Sequence, residues 1–230
     1  TTPATTTTTI PPCADAPSNP ATSTTAHIIT LITTDVNGCK DTLLAPVTVS
    51  TPVAIIDYEL DGAATNANGD FTCPPVFADF TDQSLTLGNI VSWNWVFGDG
   101  KTSTLASPNN TYVFPGTYSA GLVITDEYGC TSDTTLIDFL TIFGPTATPS
   151  WTQDLNGCGQ NVVFDIGTTE NVTEIVWNLD DGTIVNDSTF FLHVYQDVTT
   201  YNPSVSIYDS NNCQVIYPLD PVTIPDNGLD

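Results

Sequence analysis

Hydrophobic and polar residues alternate in short segments along the whole chain, as they do in strands with one buried face. In three places such a segment leads into a turn that ends in cysteine, and a second extended run follows. The three turns are Asp35–Cys39, Asp126–Cys130 and Asp209–Cys213. No sustained helical period occurs, and Thr, Val, Gly, Asn and Pro dominate. We therefore predict an all-β fold of short strands in which each unit closes with a hairpin.

The three hairpins belong to longer repeats, because residues upstream of the cysteines keep the same spacing. Tyr112 and Tyr195 each lie 18 residues before their cysteine, and Tyr118 and Tyr201 each lie 12 before. Conserved spacing of this kind indicates internal repetition. Further upstream, both repeats have a strand with alternating large residues that runs into a turn ending in glycine: Trp95–Gly100 (WVFGDG) and Trp177–Gly182 (WNLDDG).

The second repeat resembles the PKD family of immunoglobulin-like repeats, whose hallmark is an aromatic strand that runs into a Gly-Asp-Gly turn. It has the family's motifs in order: Trp95-x-Phe97-Gly98-Asp99-Gly100, Pro108-x-x-x-Tyr112, Pro115–Tyr118 and Val123–Asp126. The third repeat is more divergent, with Leu179 and Asp180 in place of the Phe and Gly. The resemblance implies tandem immunoglobulin-like (PKD-like) β-sandwiches, an extracellular location, a spacer or protein-contact role, and no reaction.

Composition places the boundaries of three units. We expect residues 1–50 to be a partial PKD-like unit with a Thr/Pro-rich start, 51–145 a PKD domain, and 146–230 a divergent PKD-like domain. Proline stiffens the joints at Thr51-Pro52 and Gly144-Pro145, which predicts a semi-rigid rod. The first unit has only its last two strands. Either preceding strands of a longer parent or strands of a neighbouring chain would have to complete it.

The charge balance excludes several partners. The chain has 26 acidic and two basic residues, a net charge of -24. Nucleic acid and anionic lipid are therefore not expected to bind, because both need clustered Lys and Arg. No apolar stretch reaches the roughly 18 residues that cross a bilayer, so the chain is not expected to span a membrane.

Six cysteines in an acidic, exported chain predict disulfides. Repeat symmetry favours one bridge inside each unit, and the predicted pairs are Cys13–Cys39, Cys73–Cys130 and Cys158–Cys213. A zinc site is disfavoured, because no CxxC pair occurs and the two histidines lie in separate units. In sandwich folds a central-strand Trp packs in the core against such a bridge, and we expect this of Trp95 and Trp177.

Calcium is the cofactor that the acidic loops suggest. Asp57, Glu59 and Asp61 occupy the first, third and fifth positions of a calcium-loop pattern, and Gly62 follows them. The pattern is incomplete, and the same segment also fits the first strand of the second unit. The turns at Asp99 and at Asp180-Asp181 are further candidates.

Three triplets resemble the O-glycosylation signal of Bacteroidota, and their acceptor residues are Thr42, Thr134 and Ser188. Repeats of this kind with few basic residues look like those of very large adhesins on gliding or biofilm-forming members of that group.

No sequence motif indicates catalysis, since a Gly-x-Ser-x-Gly elbow, a zinc-protease motif and a phosphate loop are all missing. We predict a non-catalytic stalk in a bacterial surface adhesin. Its expected partners are the neighbouring repeats and an unidentified surface or polysaccharide ligand. Two alternatives stay open: an accessory module of a secreted polysaccharide- or protein-degrading enzyme, and a filament subunit completed by neighbouring chains.

Overall fold

The computed structural model describes residues 25–49, 51–62, 73–153 and 160–226. All regular secondary structure in these ranges is β-strand, which confirms the predicted all-β class. Within the same ranges, no helix is long and apolar enough to cross a membrane.

The first described strands form a two-stranded antiparallel hairpin. Strand β1 (Thr25–Thr34) pairs with β2 (Lys40–Val49) over its full length, from Thr25 opposite Val49 to Thr34 opposite Lys40. The hairpin confirms the two predicted strands of the first unit. Its aliphatic side chains are exposed, namely those of Ile28, Ile29, Leu31, Ile32, Leu43 and Leu44.

The second repeat contains two sheets. Its strands are β3 (Ile56–Gly62), β4 (Val76–Asp82), β5 (Ile90–Val96), β6 (Thr102–Ser103), β7 (Asn109–Tyr112), β8 (Gly116–Asp126) and β9 (Thr131–Ile142). One sheet has the order β3-β4-β7 and the other has the order β6-β5-β8-β9. Alternate residues of β4 are buried, as the sequence pattern predicts for a strand with one core face.

The third repeat has the same two-sheet topology. Its strands are β10 (Thr146–Ala147), β11 (Ser150–Gln153), β12 (Asn161–Asp165), β13 (Thr169–Glu170), β14 (Glu174–Asn178), β15 (Ile184–Asn186), β16 (Phe190–Val194), β17 (Thr200–Tyr201), β18 (Ser204–Tyr208), β19 (Gln214–Pro218) and β20 (Val222–Thr223). The sheet orders are β11-β12-β16 and β15-β14-β18-β19, and β10-β13 and β17-β20 form two further short pairs. The matching strand orders confirm tandem immunoglobulin-like repeats.

Compact units and sequence repeats do not coincide. One unit comprises the chain up to Glu59, Asp79–Asn110 and Tyr118–Phe139. The other comprises Leu60–Ala78, Thr111–Thr117 and the chain from Leu140 onward. The segment that contains Cys73 is therefore grouped with the third repeat.

An aromatic cluster around Trp95 holds the sheets of the second repeat together. Trp95 on β5 is fully buried, and its ring centroid lies 5.6 Å from that of Phe80 on β4. Phe80 also contacts Phe97, with a distance of 5.2 Å between the ring centroids. The indole Nε1 of Trp95 donates a hydrogen bond of 2.9 Å to the carbonyl oxygen of Leu105. The cluster contacts both sheets, so it stabilises their packing.

Trp177 has the corresponding place in the third repeat. It is fully buried, its ring lies 5.6 Å from Phe164 on β12 and 5.5 Å from Phe191 on β16, and its Nε1 donates to the carbonyl oxygen of Ser188 at 2.9 Å. The predicted burial in the core is thus confirmed for both tryptophans, whereas their packing against a disulfide stays a prediction.

The turn after the Trp95 strand needs a residue without a side chain. Gly98 has φ of 80°, and a Cβ there would lie 2.5 Å from the carbonyl oxygen of Ser119. Asp180 of the third repeat, at the corresponding position, keeps a positive φ of 65°. The backbone conformation is therefore common to both repeats, whereas the close approach to the neighbouring strand explains the glycine at position 98.

We expect Gly98→Ala to lower the unfolding free energy more than Gly100→Ala does. Gly100 also has a positive φ, of 88°, but nothing lies within 4 Å of its Cβ position. Gly100→Ala should therefore cost only the backbone strain, about 1–2 kcal/mol. Gly98→Ala must in addition displace the Ser119 backbone. Urea unfolding of both variants measures the difference, and equal losses would contradict the steric explanation.

Candidate functional site: acidic turns and the cysteine bridge

An aspartate organises each of the turns that end in cysteine. In the turn between β8 and β9, Asp126 Oδ1 accepts hydrogen bonds from the backbone N–H groups of Tyr128 and Cys130, both at 2.9 Å. The Asp126 N–H donates to the Cys130 carbonyl oxygen at 2.9 Å. One carboxylate therefore fixes the backbone of the turn and the position of the cysteine.

The other two turns repeat this geometry. Asp35 Oδ1 accepts from the N–H groups of Asn37 at 2.8 Å and Cys39 at 2.9 Å. Asp209 Oδ1 accepts from Asn211 at 2.8 Å and from Cys213 at 2.9 Å. The sequence predicted the turns and their cysteines, but the role of the first aspartate was not recognised. Its invariant distance of four residues from each cysteine is the signal that could have revealed it.

The disulfide of the third turn joins distant parts of the sequence. Cys73 is bonded to Cys213, with a Cα–Cα distance of 5.4 Å and a sequence separation of 140 residues. The predicted pairs Cys73–Cys130 and Cys158–Cys213 are therefore wrong, and so is the expectation of one bridge inside each repeat. Cys158 lies outside the described residues.

The division into compact units explains the pairing. Leu60–Ala78, which contains Cys73, belongs to the same unit as the chain from Leu140 onward, which contains Cys213. Cys130 belongs to the other unit; it is buried and is itself disulfide-bonded. Repeat symmetry assumed that each repeat closes on itself, whereas the segment before β4 packs with residues of the following repeat.

Cys39 is a free, exposed thiol. The predicted Cys13–Cys39 bond is thus not formed, and Cys13 lies outside the described residues. Within the described residues, β1 and β2 form a two-stranded sheet to which no other strand is added.

The Gly-Asp-Gly turn of the second repeat contains a charged network. Lys101 Nζ contacts Asp99 Oδ2 at 2.9 Å and donates to Asn110 Oδ1 at 3.2 Å. Asn110, which is buried, donates from Nδ2 to Asp99 Oδ2 at 2.9 Å. Burial alone would raise the pKa of Asp99, but the hydrogen bonds from Lys101 and Asn110 outweigh it and hold the pKa below its ordinary value.

His193 replaces the amide in the third repeat. Its Nε2 lies 2.7 Å from Asp181 Oδ2, and Asp181 Oδ1 accepts from the Thr183 N–H at 2.9 Å. Burial would raise the pKa of Asp181, yet the bonds from Thr183 and His193 lower it. Beside them, burial raises the pKa of Tyr195, whose hydroxyl donates to the Leu179 carbonyl oxygen at 3.0 Å.

These two networks fasten a turn to a neighbouring strand, because each carboxylate accepts from both the turn and β7 or β16. Among the described residues, no group of three or more His, Cys, Asp or Glu side chains could hold a metal ion. The chemistry that the networks supply is structural: they fix turn conformation and depend on carboxylate ionisation.

The predicted calcium residues lie on a strand. Asp57, Glu59 and Asp61 are alternate, exposed residues of β3, so they share one face of an extended segment and are not wrapped around a centre. The alternative prediction, that this segment forms the first strand of the second unit, is confirmed by β3. Calcium binding by these residues stays a prediction.

The predicted glycosylation acceptors differ in exposure. Thr42 on β2 is exposed, whereas Thr134 on β9 and Ser188 before β16 are half-buried. Their modification stays a prediction.

We expect Asp99→Asn with Asp181→Asn to destabilise the protein at neutral pH and to have less effect as the pH falls. Both carboxyl pKa values are lowered from 3.8 on folding, so their stabilisation is present above the unfolded pKa and is lost as the pH falls through the folded value. Thermal midpoints between pH 7 and pH 2 measure this. Asp133→Asn, at an exposed position on β9, is the control; a gap that persists at the lowest pH would contradict the assignment.

The family model of the PKD domain matches residues 63–142. Among curated proteins, the pre-pro-metalloprotease PrtV of Vibrio cholerae is 37% identical over 100 residues, which are 42% of this chain and 11% of that protein. A microbial collagenase of Vibrio alginolyticus is 48% identical over 48 residues, 21% of this chain and 6% of that protein. The chain thus spans about a tenth or less of the length of these relatives.

A solved structure also matches. The PKD1 domain of the Vibrio cholerae metalloprotease PrtV is 29% identical, and the match covers 40% of this chain and 98% of that chain with a TM-score of 0.32.

Proposed function

We propose that this chain, which contains a PKD domain at residues 63–142, is a non-catalytic extracellular spacer in a bacterial cell-surface adhesin. The observation that carries the proposal is the Cys73–Cys213 bridge, which closes a covalent loop over 140 residues of two successive repeats. A spacer must keep its length under tension, and a bridge that spans repeats limits how far they can be extended.

Composition supports an extracellular location. Disulfides persist in oxidising compartments and are rare in the cytosol. A net charge of -24 also makes nucleic acid and anionic membrane surfaces repel the chain. The exposed hairpin β1–β2 is consistent with a longer array of repeats, since two strands alone are marginally stable in water. The proposal includes that the adhesin of which this chain is a segment is one of gliding bacteria.

We expect the bridge to shorten the extension that is measured when a single chain is pulled from its two ends. With the bridge intact, the 140-residue loop cannot lengthen. In Cys73→Ser with Cys213→Ser, unfolding should release additional contour length of at most roughly 460–500 Å, because the bridge of Cys130 stays closed under non-reducing conditions. Force spectroscopy under non-reducing conditions measures the difference.

Cys39→Ser removes a free thiol outside the loop and is the matched control, with no change in contour length expected. Equal extension of the oxidised wild type and the double variant would mean that the bridge carries no load, and the spacer proposal would lose its support.

A second function is favoured by the comparisons: an accessory module of a secreted protein- or polysaccharide-degrading enzyme. The matched relatives include a metalloprotease and a collagenase. The unit from Leu140 onward also has an open cleft of about 560 Å³ with one aromatic wall and polar groups, lined among others by Phe143, Asn171, Thr173, Asp209 and Asn211. Depletion of the full chain from solution by insoluble collagen or cellulose would favour this function over the spacer.

A further inference from the structure

Strand β16 is an open edge with an apolar outer side. It ends the sheet β11-β12-β16, and within the part of the chain that the structure describes it pairs only with β12. Phe191 points inward and contacts Trp177. The alternate residues Phe190, Leu192 and Val194 face outward and are 66%, 59% and 41% exposed.

The same three residues direct their backbone groups to the open edge. On either side of them, the Thr189 carbonyl oxygen accepts from the Ile166 N–H, and the Tyr195 N–H donates to the Gln160 carbonyl oxygen. In an antiparallel ladder, hydrogen-bonded residues alternate along the strand. Phe191 and His193 therefore bond to β12, and the N–H groups of Phe190, Leu192 and Val194 point away from it.

The second repeat shows that the fold does not require this apolar stripe. The corresponding positions, 83 residues earlier, are Asn109 and Thr111 of β7 and Ser107, which lies two residues before its start. These polar side chains occupy the same outer face of an edge strand with the same topology. The three apolar residues of β16 thus need a reason other than folding.

The strand also lacks the usual protection of sheet edges. Phe190–Val194 contains no Lys, Pro, Asp or Glu, the residues by which proteins block pairing at an exposed edge. In a chain of net charge -24, an uncharged edge is a place where a second copy can approach with least repulsion.

We propose that β16 pairs antiparallel with β16 of a second copy, about a two-fold axis at Leu192. This register places Phe190 opposite Val194 of the second copy and Leu192 opposite its own counterpart. Aromatic and β-branched residues make favourable cross-strand pairs, so the stripe is complementary to itself. The edge N–H and C=O groups complete a ladder, and the two three-stranded sheets become one sheet of six strands. The interface goes beyond the spacer function and does not depend on it.

We expect the full chain to form a dimer in sedimentation equilibrium, with tighter association at high salt because salt screens the repulsion between two acidic copies. The variant F190S/L192N/V194T transfers the residues of the second repeat to β16. It should weaken the dimer on the order of 10- to 100-fold, through the loss of three cross-strand pairs. Val96→Thr with Val123→Thr, at exposed valines of another sheet, is the control and should leave the association constant unchanged.

A cysteine at the axis tests the register. In a Cys39→Ser background, Leu192→Cys should give a covalent dimer under mild oxidation, because directly opposite hydrogen-bonded residues lie about 5.5 Å apart at Cα, within reach of a disulfide. Val123→Cys should not. Circular dichroism establishes that each variant is folded. A monomer at every salt concentration, a dimer that survives the triple substitution, or a dimer without the Leu192→Cys cross-link would each overturn the proposal.

Discussion

The contact on which each repeat depends is the buried indole between its two sheets. Trp95 and Trp177 lie on corresponding strands, β5 and β14, of the four-stranded sheets of their repeats. Each contacts a phenylalanine of the three-stranded sheet of the same repeat. Each also satisfies its Nε1 group with a backbone carbonyl of the following loop, that of Leu105 or Ser188. A single side chain thus joins two sheets and a connection.

Around this core, the two repeats reach the same geometry with different residues. Asp180 stands where Gly98 allows a close approach of Ser119, and it accepts a hydrogen bond of 2.8 Å from the Asn202 N–H. His193 stands where Asn110 contacts the turn carboxylate. The turn conformation is kept in both cases because a carboxylate accepts from the turn backbone, while its second partner on the adjacent strand can vary.

The sequence predicted what is local and periodic. Alternation gave the strands, spacing gave the repeats, and the large residues before the Gly-terminated turn gave the core tryptophans. It failed for the bridge, because the partner of Cys73 depends on which segments pack together, and spacing within one repeat contains no information on that. The open edge of β16 could not be predicted for a related reason: three apolar residues follow one another at 190–192, and the sequence alone does not decide that Phe191 is the one directed inward.

The position of the bridge separates the thermal stability of the aromatic cores from the resistance of the chain to extension. Trp95 and Trp177 both lie between Cys73 and Cys213, so along the covalent chain tension applied outside the bridge passes through the sulfur atoms rather than through the backbone of the loop. Core substitutions can then alter the melting temperature without altering the extension at which the bridge becomes taut. If the chain is the proposed spacer, its maximum extension between these points is set by two cysteines rather than by the hydrophobic interior.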